Sequence, residues 1–292
     1  MKYITLKDMG SSGGLCSQLQ IFSGLKAVAK ANNMKIVFSK EMIEGKSITY
    51  PPTGEPLQTR IRIFDLLDLK YELKPKDKHI DYHTTRYDKT LFNLDPSFNY
   101  NLIGRFDTYT YWYNDIKEEV ESWKYQKILQ EQADKRMDKI KNHFNNNKPT
   151  VSVHFRRGDY LLPQFSFCIL NNDYYLKAIT KNFKPINDYN FIVFSNDIEY
   201  SKSVLEGDNI WFVDPKGGGV CTDSEKEDLV LMSLCDHHII SNSSYSWWGA
   251  FLSKNPNKKI ICPTNWIKST HSSSWMNGNY FPPNWININN KN

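Results

Sequence analysis

The residues with the most chemistry in this chain sit in a few short stretches. The first is Val151–Tyr160, VSVHFRRGDY, where alternating apolar positions run into His154, Arg156, Arg157 and Asp159. Arginine carries a rigid fork of donors that matches phosphate oxygens in a bidentate way. Two adjacent arginines in extended chain diverge, so one can reach a diphosphate while the other is held by an acid such as Asp159. On residue types alone, the same cluster also describes a surface ion-pair group at a strand end. The second stretch is Ser241–Phe251, SNSSYSWWGAF, with Asn242, Ser243, Ser244 and Ser246 crowded ahead of two tryptophans. Capping a helix needs one hydroxyl. The further hydroxyls, with the free N–H groups of a helix start, make an anion site. Trp247 and Trp248 read as core. The third stretch, Gly13–Gln20, GGLCSQLQ, is a glycine turn that could bring backbone close to a ligand. It lacks the G-x-G-x-x-G spacing of a dinucleotide loop.

Other features carry less. CDHH at Cys235–His238 looks metal-like, but adjacent strand residues face opposite ways and no second ligand group has the usual spacing, so no metal site is expected. No D-x-D occurs in the chain, which leaves arginine as the available charge to neutralise a diphosphate. Lys216–Val220, KGGGV, reads as a loop that could close over a ligand.

The 292 residues allow one large domain or two ordinary ones. A net charge of +5 suits an anionic small ligand or an anionic membrane surface and falls short of a nucleic-acid footprint. The five widely spaced cysteines form no disulfide framework and point to a reducing compartment. MKYITLKDMG has no apolar signal region, and no run of about 18 apolar residues spans a membrane. A cytoplasmic protein is expected.

The elements that must position these residues are clearest in the second half. Strands are read at Val151–Phe155, Phe191–Phe194, Ile210–Val213, His238–Ser241 and Lys259–Cys262. Helices are read at Asp173–Phe183, from Asp197 to Leu205, at Ser224–Cys235 with a Ser224/Glu227 capping box, and from the serine turn to Phe251. Such alternation predicts βαβ units and a parallel sheet. The first half starts alike, with strands at Tyr3–Lys7 and Lys35–Phe38 around a helix at Cys16–Ala31. Ser47–Arg105 shows no order, and Tyr109–Gln130 includes a helix. The polar stretch Lys141–Pro149 has no period and is read as the boundary between domains 1–147 and 148–292.

HFRRGD resembles the H-x-R-R-x-D motif of α-1,2- and α-1,6-fucosyltransferases. Glu227–Ser253 resembles the C-terminal signature of the α-1,2-fucosyltransferase family, glycosyltransferase family 11. Lys258–Trp266, Phe194–Ile198 and Leu102–Trp112 resemble further blocks of that family, in the right order. Two departures stand out. Cys16 and Ser17 replace the Gly and Asn of the family's G-G-L-G-N-Q block, and Arg105 and Asp107 are unusual at Gly104–Thr108.

The resemblance implies a GT-B fold, two Rossmann-like α/β domains facing across a cleft, with GDP-L-fucose held by the second. It implies an inverting, metal-independent transfer to a galactose-containing surface glycan, with no cofactor. Arg156 would hold the β-phosphate, Asp159 would orient the arginines, and Asp107 is the candidate general base. His154, Arg157, Ser195, Asn196, Asp228, Asn242, Ser243, Ser244 and Ser246 would line the donor site, with Gly14 and Gln18 on the side of the first domain. A lipid-linked acceptor would bring the protein to the inner leaflet. A related transferase with another donor or linkage, or a non-catalytic binding module, are the competing readings.

Overall fold

A computed structural model describes residues 1–7, 14–49, 57–84, 87–104, 106, 108–162, 167–213, 223–268 and 280–290. The chain divides into two compact units, Met1–Lys124 with Trp275–Tyr280, and Tyr125–Ser274 with Phe281–Asn292.

The first unit contains strands β1 (Tyr3–Leu6), β2 (Lys35–Phe38), β3 (Ser47–Thr49), β4 (Leu57–Thr59), β5 (Glu72–Leu73), β6 (Ile80–His83) and β7 (Tyr100–Ile103). Its helices are α1 (Leu15–Ala31), α2 (Lys40–Glu44), α3 (Ile63–Leu66) and α4 (Tyr113–Glu121). Five strands form one parallel sheet in the order β5-β2-β1-β7-β6, and β3 pairs with β4 antiparallel. The region read as unordered, Ser47–Arg105, therefore holds five strands. The reason is length and exposure: β5 has two residues, both exposed, and β6 lies mostly exposed at the sheet edge. Neither shows the alternation or apolar run that marks a strand.

The second unit contains β8 (Thr150–Phe155), β9 (Asn190–Ser195), β10 (Ile210–Phe212), β11 (His237–Ile239), β12 (Ile260–Pro263) and β13 (Ile286–Ile288). Its helices are α5 (Lys127–Phe144), α6 (Asn172–Asn182), α7 (Ile198–Val204), α8 (Asp223–Ser233) and α9 (Ser244–Leu252). All strand pairs are parallel, in the order β10-β9-β8-β11-β12-β13. Numbered within the unit this is 3-2-1-4-5-6, the order of dinucleotide-binding sheets. The strands read from sequence are all present, and β13 is an addition. The unit begins at Tyr125 rather than at residue 148. The helix α5 runs into the stretch read as the boundary, ending at Phe144, and Leu129, Ala133, Met137 and Ile140 form its buried stripe at helical spacing. The helix packs on α8. Arg136 of α5 bonds both Glu227 (2.9 Å) and Asp228 (2.6 Å) of α8. The helix α8 begins at Asp223, so Ser224 lies inside it rather than at its cap, and the Glu227 carboxylate faces Arg136.

The central strand β8 is buried at all six positions, as expected where helices cover both faces. Val151, Val153 and Phe155 belong to a core with Tyr174, Tyr175, Ala178 and Phe183. Thr150, Ser152 and His154 alternate with them and form a polar ladder to the next strand. Thr150 N and Oγ1 donate to Asp236 (2.8 and 2.9 Å), Ser152 Oγ bonds His238 Nδ1 (2.8 Å), and Ser241 Oγ bonds His154 Nδ1 (2.8 Å).

The helices α8 and α9 pack closely. A Cβ at Gly249 of α9 would lie 2.5 Å from Met232 Sδ and 2.9 Å from its Cγ. Gly249→Ala is expected to destabilise the fold by about 1–3 kcal/mol, read as a lower urea midpoint with an unchanged m-value. A midpoint equal to that of the natural protein would show that α8 yields freely.

Candidate functional site

In a 3-2-1-4-5-6 sheet the chain leaves strands 1 and 4 in opposite directions, and a crevice opens past their carboxyl ends. Here those strands are β8 and β11. His154 and Arg156 leave β8, and Ser241 to Ser246 follow β11, so both serine and arginine stretches arrive at one place.

His154 is buried, and its Nδ1 is bonded to Ser241 Oγ. Burial first, and the nearby Arg156 charge second, push its pKa down to about 3. The ring is therefore neutral at working pH and serves as a hydrogen-bonding group.

Arg156 is partly exposed, with Nη2 2.7 Å from Asp159 Oδ1. This is an ion pair without hydrogen-bond alignment, since that same oxygen has no hydrogen-bond partner. The Arg156 Nε is buried and has no acceptor among the described residues. The guanidinium carbon lies 5.2 Å from the centre of the Tyr160 ring. Burial pushes the Tyr160 hydroxyl up to about 12, so it stays a donor, and it donates to the Asn242 carbonyl (3.1 Å).

Arg157 takes the other direction. Its Nε donates to Asp197 (3.1 Å), and its guanidinium lies 3.5 Å from the Tyr200 ring centre. Asp159, read as the acid that would hold the second arginine, sits on Arg156 instead, and Asp197 supplies that role for Arg157. Asp197 also caps α7 through Tyr200 N (3.2 Å). The Arg157 N–H donates to Asn196 Oδ1 (2.8 Å), and Ser195 Oγ accepts from Asp197 N (2.9 Å). Gly158 closes this turn with φ +40, and a Cβ there would clash with Asn196 Nδ2. The side chains of Ser195 and Asn196 thus shape the turn that carries the arginines.

After β11, Ser243 caps α9, its Oγ accepting from Tyr245 N (3.3 Å). Ser246 is fully buried, accepts from Ser241 N (3.2 Å) and donates to the Ser243 carbonyl (3.4 Å). Ser244, the first helical residue, is half-buried, and its hydroxyl has no hydrogen-bond partner among the described residues. Asn242 is fully buried; its Nδ2 donates to the carbonyls of Cys168 and Trp266 (2.8 Å each). Trp247 and Trp248 are core residues.

The remaining candidates lie elsewhere. Asp228 faces Arg136 on α5. Gln18 is buried in the first unit, where its amide donates to Arg60 O (3.0 Å) and accepts from Arg62 N (2.8 Å). Gly14 caps α1 in extended conformation. Asp107, Gly13, Arg105 and the KGGGV loop lie outside the described residues. Among the described residues no three His, Cys, Asp or Glu side chains could hold a metal ion. Sequence reasoning missed Tyr160, Asp197 and Tyr200 as partners of the arginines. The signal for Tyr160 was its place, directly after RRGD.

The histidines make a pH prediction. His154 and the fully buried His238 both have pKa values lowered by burial. Their unfolded values lie near 6.5, so below that pH the unfolded chain binds protons that the fold does not. Both contributions are complete above about 6.5 and fall as pH drops below it; for His154, whose folded value lies near 3, the loss is about 1.4 kcal/mol per unit down to that pH. Urea unfolding at stepped pH should show this slope, and His154→Gln should remove one group's share of it. A slope unchanged by the substitution would mean that His154 titrates normally.

Among curated proteins, the chain is 35% identical over 143 residues to the O-antigen biosynthesis glycosyltransferase WbnK of Escherichia coli, covering 45% of each chain. It is 33% identical over 149 residues to an alpha-1,2-colitosyltransferase of Escherichia coli, covering 48% of this chain and 47% of the relative. The matched stretches therefore span about half the length of these relatives. Among solved structures, POFUT1 in complex with GDP-fucose superposes with a TM-score of 0.54 at 13% identity, over 89% of this chain and 98% of that one. A mutant of Arabidopsis thaliana FUT1 in complex with GDP gives 0.55 at 11% identity, over 89% and 70%. At such identity the superpositions show the fold alone, a GT-B-type pair of parallel-sheet α/β units. The family description Glycosyl transferase family 11 matches residues 28–289, nearly the whole chain, and with the arginine and serine stretches meeting at one sheet switch point, the chain belongs to glycosyl transferase family 11.

Proposed function

We propose that this protein transfers L-fucose from GDP-β-L-fucose to the 2-hydroxyl of a terminal galactose or related hexose of a surface glycan, with inversion and without a metal. The observation that carries this is Arg156: a guanidinium past the end of β8 with a buried Nε that has no acceptor among the described residues, on a turn whose Tyr160 bonds the chain leading into the capped start of α9. That pairing suits a nucleoside diphosphate. Arg156 holds the β-phosphate and neutralises the charge that develops as GDP departs. Asp159 orients the guanidinium. Ser244 offers its hydroxyl to the diphosphate, and Ser243 fixes the helix start beside it. Neutral His154 contacts the nucleotide. The side chain of Arg157 serves the site by holding the turn. A general base takes the acceptor proton, and Asp107 is the proposed group.

The relative named alpha-1,2-colitosyltransferase favours a second reading, in which the same site takes another deoxyhexose on GDP. No helix among the described residues is long and apolar enough to cross a membrane. We place the protein in the cytoplasm, meeting a lipid-linked acceptor at the inner leaflet.

GDP release from a panel of GDP-sugars, with lactose and other galactosides as acceptors and EDTA present, tests the reading. Release that depends on both GDP-fucose and a galactoside is expected. Release from a different GDP-sugar would select the second reading, and acceptor-independent silence with every donor would overturn both. Arg156→Ala should fold normally and lose about 2–4 kcal/mol of transition-state binding, roughly 30- to 1000-fold in kcat/KM. Turnover near that of the natural protein in a folded Arg156→Ala variant would remove Arg156 from the mechanism.

A further inference from the structure

Arg156 is supported from two sides, and only one support is a charge. Tyr160 is buried beneath the guanidinium, at a distance where a cation is drawn to the face of a ring. The ring is fixed on both its other sides. It stacks on Phe167 with centres 4.3 Å apart and planes 11° from parallel. Its hydroxyl donates to the Asn242 carbonyl, across the gap between the chain leaving β8 and the chain leaving β11. Asn242 is itself tied by its amide to the carbonyls of Cys168 and Trp266, and Phe167 pairs with Ile267 next to them. Two other segments therefore meet on one tyrosine, at Phe167 and at Asn242, and that tyrosine faces one arginine.

We infer that Tyr160 is a positioning residue for Arg156: a rigid aromatic shelf that sets the plane of the guanidinium so that its free donors face a phosphate. The inference rests on the proposed function for the identity of the anion, GDP. Asp159 alone cannot set that plane, because its contact with Nη2 lacks hydrogen-bond alignment. A guanidinium held by one misaligned oxygen can rotate about Cδ–Nε, and ordering it on binding costs affinity. The ring removes that freedom and leaves the charge in place, whereas a second carboxylate would cancel it.

A mutant cycle read by calorimetric titration of GDP separates positioning from packing. Tyr160→Leu is expected to weaken GDP binding about tenfold when Arg156 is present, and by less than about twofold in the Arg156→Ala background. Tyr160→Phe keeps the ring and its stack and should recover most of the affinity. Equal weakening by Tyr160→Leu in both backgrounds would show a purely structural role and overturn the inference. Should the leucine variant fail to fold, pentafluorophenylalanine at position 160 keeps the shape and reverses the charge of the ring face; it should bind GDP more weakly than Tyr160→Phe, and equal affinity would overturn the inference. Pyrophosphate is titrated in parallel. If the natural protein binds pyrophosphate with the same coupling but not GDP, the donor reading falls and the Tyr160 assignment stands. If it binds neither, Arg156 is no anion site and the assignment falls with it.

Discussion

The polar ladder between β8 and β11 is the constraint from which the rest of the second unit follows. Thr150, Ser152 and His154 occupy the face of β8 opposite Val151, Val153 and Phe155. In a dry core each would be costly without a partner, and each has one: Asp236, His238 and Ser241. A slip of one residue would turn the ladder into the apolar core and the valines onto the polar partners. The ladder therefore specifies both which strand lies beside β8 and in what register. That choice makes β8 and β11 neighbours, and their neighbourhood creates the switch point. The uppermost rung, His154 to Ser241, is at once a fold-specifying bond and the floor of the site.

Two adjacent arginines leave that floor in different directions, and their different surroundings give them different work. Arg157 meets Asp197 and the Tyr200 ring, so its charge is largely balanced and its position held. The held side chain, with Asn196 on its backbone and Gly158 in the tight turn, fixes the path of the chain. Arg156 is then carried to the gap between the strand ends. Its one acid, Asp159, is only three residues away and poorly aligned, so the guanidinium keeps donors for a ligand. Adjacency in sequence here goes with different surroundings: Arg157 is held by Asp197 and Tyr200, while the Arg156 Nε has no acceptor among the described residues.

How much of this was legible in sequence follows from burial and from distance along the chain. The central strands of the second unit, β8 and β9, were readable because they are buried along almost their whole length and appear as apolar runs, while β13, mostly exposed at the sheet edge, was not. The short edge strands of the first unit were not, because two exposed residues such as Glu72 and Leu73 carry no pattern. The helix α5 was not read as an element of its own because its apolar positions come about once per turn amid charged residues. At the site, the residue types and their meeting at strand ends were readable, while the partnerships were not. Which acid serves which arginine depends on side-chain direction, and Asp197 lies 40 residues from Arg157. Gln18 and Asp228 carry suitable groups for a ligand, but their partners are Arg60 and Arg62 backbone and Arg136. The family likeness was carried by HFRRGD and the Ser-Trp-Trp block, whose context sequence does show.

The charge balance of the site bears on how it would take a diphosphate. Two arginines and two aspartates sit around the turn, and the neighbouring histidine is held neutral by burial, so the unliganded region has little net charge. Affinity for an anion then has to come from direction rather than from field strength. The directed groups are the uncommitted Arg156 donors, the Ser244 hydroxyl and the amides that open α9. Such groups recover their full interaction only when held in place before the ligand arrives. A site of low net charge with fixed dipoles can stabilise charge as it develops on a departing phosphate, and it can release the product once that step is over.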